Sequence, residues 1–367
     1  MGLETSLNYK LMDRKSSSQN GAPSLVTYHS PVEVYEEFQT TGRRLVIYND
    51  GVYDVGEFLD LVKHPGGNDL IEANFGTDIT DKMEQEGHSP NAYRILARYK
   101  IGVISRKEKE SPEGKGHGHG MPSQALIDAV NQKINLRQPV LYQIYKANFT
   151  IEEYMTFIHD PKLLNDPPRD LRIFQSNFFE FFSMTSWYIV PLFWYPIVAL
   201  CLYYGYQVME NKSFAVIAAF FALGIFIWTF VEYLLHRFVF HFDERVPATG
   251  VWFCTHFLIH GIHHGFPQDR YRLVFPVMFA IVIALVMAIL FCGLMGVTPG
   301  IFVFAGFGWS YVLYDIMHYS FHHIDLDIGL YKKLKVYHGK HHYKDPKAGY
   351  GVTSPLWDYV FGTVLYY

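Results

Sequence analysis

Charge is scarce in this sequence of 367 residues: Asp, Glu, Lys and Arg together make up 18%. Cysteine is scarcer, with three, and Cys201, Cys254 and Cys292 form no spaced pattern, which argues against a disulfide scaffold. The 31 basic residues are outnumbered by 35 acidic ones, so no nucleic-acid partner is expected. The opening MGLETSLNYKLMDRKSSSQNGAPS has no apolar h-region, and no cleaved signal peptide is expected. Gly2 and Ser6 fit a myristoylation pattern permissive enough to arise by chance. Residues 1–26 are read as a disordered tail. What the sequence does have is apolar and aromatic residues, 50% and 17%, a balance expected of a membrane protein.

The apolar residues gather in runs. Residues 181–209, 213–231 and 273–314 contain no Asp, Glu, Lys or Arg. Each of the first two is long enough to cross a bilayer once. As a single helix the third would extend roughly 63 Å, about two bilayer cores. Val297-Thr298-Pro299-Gly300 is expected to break it into a hairpin. Four spans follow, at about 183–204, 213–235, 273–293 and 300–317, with Pro191 and Pro196 placed to kink the first. Four spans leave the N-terminal part, the loop 236–272 and the C-terminal tail on one side. Arg237, Arg245, Arg270, Arg272, Lys332, Lys333 and Lys335 lie on that side, against little beyond Lys212 on the other. The bias puts that side in the cytosol.

Twelve of the 18 histidines stand between positions 236 and 342. They are His236, His241, His256, His260, His263, His264, His318, His322, His323, His338, His341 and His342. His260, His263 and His264 stand at i, i+3 and i+4, as do His338, His341 and His342; His318 and His322 are i and i+4. Such spacing puts imidazoles on one helix face, and neutral imidazole binds zinc, copper, iron or nickel. A lone histidine beside apolar spans is usually a packed core residue; four clusters at helical spacing point to metal. There are too many ligands for one ion, so two metals are expected. His236 and His241 are five apart and diverge on an ideal helix, so the helix is expected to end between them. Glu232, four before His236, and Asp315, three before His318, are costly at span ends unless paired. Each is a candidate to accept a hydrogen bond from a ligand imidazole. Tyr311, Tyr314 and Trp357 are candidates for a substrate channel or simply aromatic core.

Ahead of the spans lies a different pattern. LVIY and VYDV flank Asn49-Asp50-Gly51 and predict a hairpin. EFLDLVK then reads as a helix, followed by His64-Pro65-Gly66-Gly67, and by His88 within EGHSPNAYRIL. Two histidines flanking short helices can clamp a haem iron from opposite faces. With DVGEFL before HPGG and GHS beyond it, residues 27–105 resemble cytochrome b5. The resemblance implies haem b held by His64 and His88. Asp60, Glu72, Asp78, Asp81, Glu84 and Glu86 read either as a solvated face or as an acidic docking rim for redox partners. Residues 106–124 are charged and Gly-rich, a flexible linker with His117 and His119 as solvated spacers. From Ala125 to about Arg172 an amphipathic segment either lies on the membrane or packs on the catalytic face; His159 within it has no assigned role.

A haem carrier joined to a multi-histidine dimetal site suggests oxygen chemistry on a lipid. HRFVFH, HGIHH, HYSFH, HGKHH and the tail YGVTSPLWDYVFGT make residues 172–367 resemble the fatty acid hydroxylase/sterol desaturase superfamily. With the fused haem domain the chain is similar to the fatty acid 2-hydroxylase family. The fold implied is a small α+β haem domain followed by an all-α membrane domain (125–367) with a cytosolic histidine-rich cap. The resemblance implies the metal ligands His236, His241, His260, His263, His264, His318, His322, His338, His341 and His342, and leaves His256 and His323 as packing or supporting residues. It implies hydroxylation at C2 of a fatty acyl chain, as free acid or within ceramide, at the endoplasmic reticulum. NAD(P)H–cytochrome b5 reductase would reduce the haem, and the haem a di-iron site, with zinc possible in purified samples. Alternatives are a sterol or sphingoid-base oxidase or desaturase of the same superfamily, or a tethered electron carrier with structural zinc.

Overall fold

The computed structural model describes residues 25–61, 64, 66–85, 88, 90–105, 124–162, 171–242, 245–324, 326 and 328–365. Gly2, most of the expected tail, Pro65, Glu86 and nearly all of the expected linker, with His117 and His119, lie outside them.

The first unit is built on four strands, β1 (Val26–Tyr28), β2 (Leu45–Tyr48), β3 (Gly51–Asp54) and β4 (Lys100–Ile104), in the order β1-β4-β3-β2. Asn49 and Asp50 take φ of 45° and 58°, the two left-handed positions of a tight turn that matches strand twist, and so β2 and β3 pair as a hairpin. Alternate residues point to opposite faces. Leu45, Ile47 and Val52 pack with Val34 of α1 (Pro31–Thr41), while Val46, Tyr53 and Val55 pack with Leu59 of α2 (Gly56–Leu61). On that second face stand α3 (Asn68–Glu72), α4 (Thr80–Gln85) and α5 (Pro90–Ala97). His64 lies between α2 and α3, and His88 between α4 and α5.

α6 (Gln124–Gln132), α7 (Val140–Lys146) and α8 (Ile151–His159) come next. This stretch packs on the segment that carries the second histidine cluster. Tyr154 stacks on Phe253 with centroids 4.4 Å apart, and Phe157 meets Phe257 and Phe266, all from the segment that carries His256 to His264. Thr150 and Glu153 close a reciprocal capping box at the start of α8.

After α9 (Asn177–Phe182), four helices are long and apolar enough to cross a membrane. They are α10 (Ile189–Val208), α11 (Phe214–Leu234) with its continuation π1 (Leu235–Phe240), α14 (Val277–Met295) and α15 (Val297–His323). Between π1 and α14 lie α12 (Gly250–His256), π2 (Phe257–Gly261) and α13 (Ile262–Gly265). The expected break at Val297–Gly300 falls one residue earlier: Gly296, at φ 84°, makes the turn. Pro299 then sits in the first turn of α15, where no intrahelical partner awaits its missing N–H. Pro191 likewise sits in the first turn of α10, and Pro196 lies inside it. Gly224 of α11 lies against the Val303 carbonyl, and Gly306 of α15 against Phe221, so the two backbones approach as small residues allow in membrane helices. α15 runs six residues past its expected end at 317, and that extra length carries His318 and His322 beyond the apolar span. α16 (Gly329–Tyr343) and α17 (Leu356–Phe361) complete the chain.

Candidate metal centre and haem pocket

Five helical segments aim histidines at one region, and the histidines fall into two groups of five. The first holds His236, His241, His260, His264 and His341, and the second His263, His318, His322, His338 and His342. Within each group the potential ligand atoms all lie within 4.8 Å of one another. Both π turns serve this convergence. His241 donates its backbone N–H to His236 O at 3.0 Å, an i to i+5 bond, and the helix ends between the two as expected, at Phe240, but through a π turn. The wider turn brings residues five apart onto one face, and the two rings lie 5.0 Å apart. π2 places His260 in the same way, one residue ahead of the tight turn that carries His263 and His264.

Backbone carbonyls orient two rings of the first group. His236 Nδ1 donates to Tyr350 O at 2.6 Å, and His341 Nδ1 to Ala348 O at 2.8 Å. A proton held on Nδ1 leaves the Nε2 lone pair for a metal. The facing Nε2 atoms are spaced accordingly. His241 and His341 are 2.9 Å apart, His241 and His264 3.1 Å, His260 and His264 3.1 Å, His263 and His318 2.8 Å, and His322 and His338 3.0 Å. Two nitrogens bound to one ion at about 2.0–2.1 Å and at right angles stand about 2.9 Å apart. Burial, reinforced by the neighbouring imidazoles, pushes His260, His263, His264, His338 and His342 well below the ordinary imidazole range. That keeps them neutral, the form that binds metal. Both ring nitrogens of His342 are buried with no hydrogen-bond partner, as suits a ligand rather than a packed polar residue. His264 stacks on His342 at 4.2 Å, which sets the two groups side by side.

His64 and His88 face each other with ring centroids 6.0 Å apart. Their Nδ1 atoms donate to Gly67 O at 3.1 Å and Met83 O at 3.0 Å, which leaves both Nε2 atoms for one iron between them. Burial, and then His88, pull His64 down to about 4. The two rings line a cavity of about 660 Å³ walled by Val46, Phe58, Leu70 and Ile71, a size suited to a large cofactor.

Comparison with known proteins agrees with both sites. Residues 30–105 match the cytochrome b5-like heme/steroid binding domain, and residues 221–363 the fatty acid hydroxylase family. The ceramide very long chain fatty acid hydroxylase of Saccharomyces cerevisiae is 34% identical, covering 90% of this chain and 92% of its own. The fatty acid 2-hydroxylase of Mus musculus is 30% identical over 94% and 97%. The chain belongs to the fatty acid 2-hydroxylase family. A solved structure of full-length Scs7p, with only the hydroxylase domain visible, superposes with a TM-score of 0.60 at 36% identity, covering 67% of this chain and 94% of that one. As a family member this hydroxylase is an oxidoreductase of the membrane, with a haem-binding domain ahead of its histidine-rich domain.

Among the other residues singled out, Glu232, Asp315 and Trp357 depart from what was expected, while His256, His323, Tyr311 and Tyr314 do not. Among the described residues, Glu232 accepts no imidazole bond. Its carboxylate takes the N–H groups of Val352 and Thr353 at 2.7 and 2.8 Å and the Thr353 hydroxyl at 2.5 Å. Asp315 accepts instead from the Phe275 N–H at 3.2 Å. Both carboxylates satisfy backbone at chain turns, a more urgent need at a buried helix end than a ring that already has a carbonyl. His256 lies outside both groups, 2.8 Å from the Tyr154 hydroxyl, and His323 stacks on Tyr319 at 4.5 Å. Tyr311 and Tyr314 surround Trp228, and Tyr314 stacks beneath His318 at 5.8 Å. Trp357 does not join them: it donates to Thr229 Oγ1 at 3.0 Å and packs on Phe226 and Phe230, fastening α17 to α11. His159, left without a role by its sequence context, meets His264 edge-on at 5.6 Å. The Tyr350 and Ala348 carbonyls, and buried Asp160, were illegible because their function depends on contacts far along the chain. Asp160 binds Arg94 of the haem domain at 3.0 Å and Asn131 at 3.1 Å.

Proposed function

We propose that this enzyme inserts one oxygen atom of O₂ at C2 of a fatty acyl chain, the N-acyl chain of ceramide, at the cytosolic face of the endoplasmic reticulum. The observation that carries the reading is two adjoining groups of five imidazoles beside a bis-histidine haem pocket. The family relatives, named as ceramide and fatty acid 2-hydroxylases, support the lipid and the position. Haem b held by His64 and His88 would supply one-electron transfer from NAD(P)H–cytochrome b5 reductase, and iron held by the two histidine groups would supply O₂ activation. The residues do the rest. His236, His241, His260, His264 and His341 hold one ion, and His263, His318, His322, His338 and His342 the other. The same imidazoles accept zinc, so iron loading sets the active form. Trp228, Tyr311 and Tyr314 form an apolar aromatic floor beneath His318, along which the acyl chain lies. Burial of the groups excludes bulk water. Two electrons and two protons accompany each turnover, one oxygen atom becoming the hydroxyl and the other water. The test supplies iron-loaded enzyme with ceramide, NAD(P)H, reductase and ¹⁸O₂. One labelled hydroxyl at C2 is expected; label from water, a new double bond, or oxidation of a sterol instead would overturn the reading.

A further inference from the structure

α16 is a wall shared by two sites. His338, His341 and His342 face the histidine groups. Lys332, Val336, Gly339, Lys340, Tyr343 and Lys344 line the same cavity as His64 and His88. Those six positions follow i, i+4, i+7, i+8, i+11 and i+12, a single stripe along the helix and its C-cap. The haem domain is held against the stripe by Lys332–Asp69 at 3.2 Å and by Arg94–Asp160 at 3.0 Å.

The cavity's charge is divided between the domains. The haem domain gives it apolar walls and one lining cation among the described residues, Lys82, which is bonded to Asn74. Three more lining cations, Lys332, Lys340 and Lys344, come from α16 and its C-cap. A haem carries an apolar ring and two anionic propionates. A carboxylate leaving water needs a charged or hydrogen-bonding partner. We propose that the haem site is composite: the haem domain supplies both axial histidines and the apolar walls, and Lys340 and Lys344 bind the propionate carboxylates. The inference rests on the haem reading of the His64–His88 pocket and not on the chemistry at the histidine groups.

The test uses the full-length, haem-loaded protein and reads no turnover. Haem transfer to apomyoglobin and the ferric–ferrous midpoint potential are measured for wild type, Lys340→Gln with Lys344→Gln, Lys340→Arg with Lys344→Arg, and Lys333→Gln. Lys333 is exposed on α16 and is not among the cavity's lining residues. The wild-type bis-imidazole spectrum checks the underlying haem reading separately, and bound metal checks that each variant is folded. The double glutamine variant should lose haem faster, by roughly tenfold for a lost charge-assisted bond. Its midpoint should also move to more negative potential, since cations beside the haem favour the added electron. The arginine pair and Lys333→Gln should behave as wild type. Haem loss at the wild-type rate with an unmoved midpoint in the glutamine pair would overturn the proposal. So would equal loss in the arginine pair, which would indicate a packing role.

Discussion

An imidazole binds metal only as the neutral ring, and its surroundings decide whether it stays neutral. His260, His263, His264, His338 and His342 are all held well below the ordinary imidazole range by burial. In the metal-free protein the sign follows directly. Below about pH 6.5 the unfolded chain takes up protons that these buried rings refuse, so stability falls as pH falls. Each such ring contributes a slope of up to about 1.4 kcal/mol per pH unit. Metal bound to the neutral rings stabilises the fold and shifts the loss to lower pH. Thermal unfolding of metal-free and metal-loaded protein between about pH 8 and pH 5 checks this; a flat metal-free profile would contradict it. Single substitutions should separate the histidines by role. His88→Ala is expected to abolish haem absorbance and turnover while metal content stays near wild type. His263→Ala or His341→Ala should do the converse, lowering bound metal and activity with the haem spectrum intact. His256→Ala removes the partner 2.8 Å from the Tyr154 hydroxyl, at a cost of about 1–3 kcal/mol in stability, with both groups still complete. Metal stoichiometry and absorbance on the same samples decide each case, and total metal loss in His256→Ala would put the ligand set in doubt.

At the scale of elements, π1 shows what periodicity reads well and what it misses. The i, i+3, i+4 clusters on α16 were plain in the sequence because an α-helix has 3.6 residues per turn. The five-residue step from His236 to His241 was not, because a wider turn leaves no compositional mark. The same holds for the start of α15, where Val-Thr-Pro-Gly looks like a break and Gly296 makes it. Glu232 was found by its cost within a span, but its partners lie 120 and 121 residues away and no local pattern names them. Its role is to seat the loop that follows α16, whose Tyr350 carbonyl orients His236. Glu232→Ala is therefore expected to leave the buried Val352 N–H and the partly buried Thr353 N–H without their acceptor, at about 1–3 kcal/mol for the buried one, and to lower metal content without touching a ligand. Differential scanning calorimetry with metal analysis tests this, and full metal retention with an unchanged melting temperature would refute it.

For the whole molecule, two domains and four apolar spans were legible from runs and motifs, while the contact between the domains was not. A linker of about 19 residues has an average reach near 25 Å, which permits many placements. Arg94–Asp160 and Lys332–Asp69 select one, with the haem cavity against α16, and each pairs residues more than 60 positions apart. The way the tail is tied to the first histidine group bears on how the protein is made. A growing chain emerges from the ribosome with the His64–His88 pocket ahead of the spans, the spans ahead of α16, and α16 ahead of the residues around Tyr350. His341 and His236 face the Ala348 and Tyr350 carbonyls, which therefore arrive after every histidine of both groups. The first group is then fully anchored only once the residues beyond α16 are in place, and a chain stopped at Asp345 would carry all ten histidines and two unanchored rings. Such a product should keep wild-type haem and hold clearly less than its full complement of metal, as parallel haem and metal assays of the truncated chain would show. Retention of metal by the first group is thus tied to a loop that holds no ligand of its own.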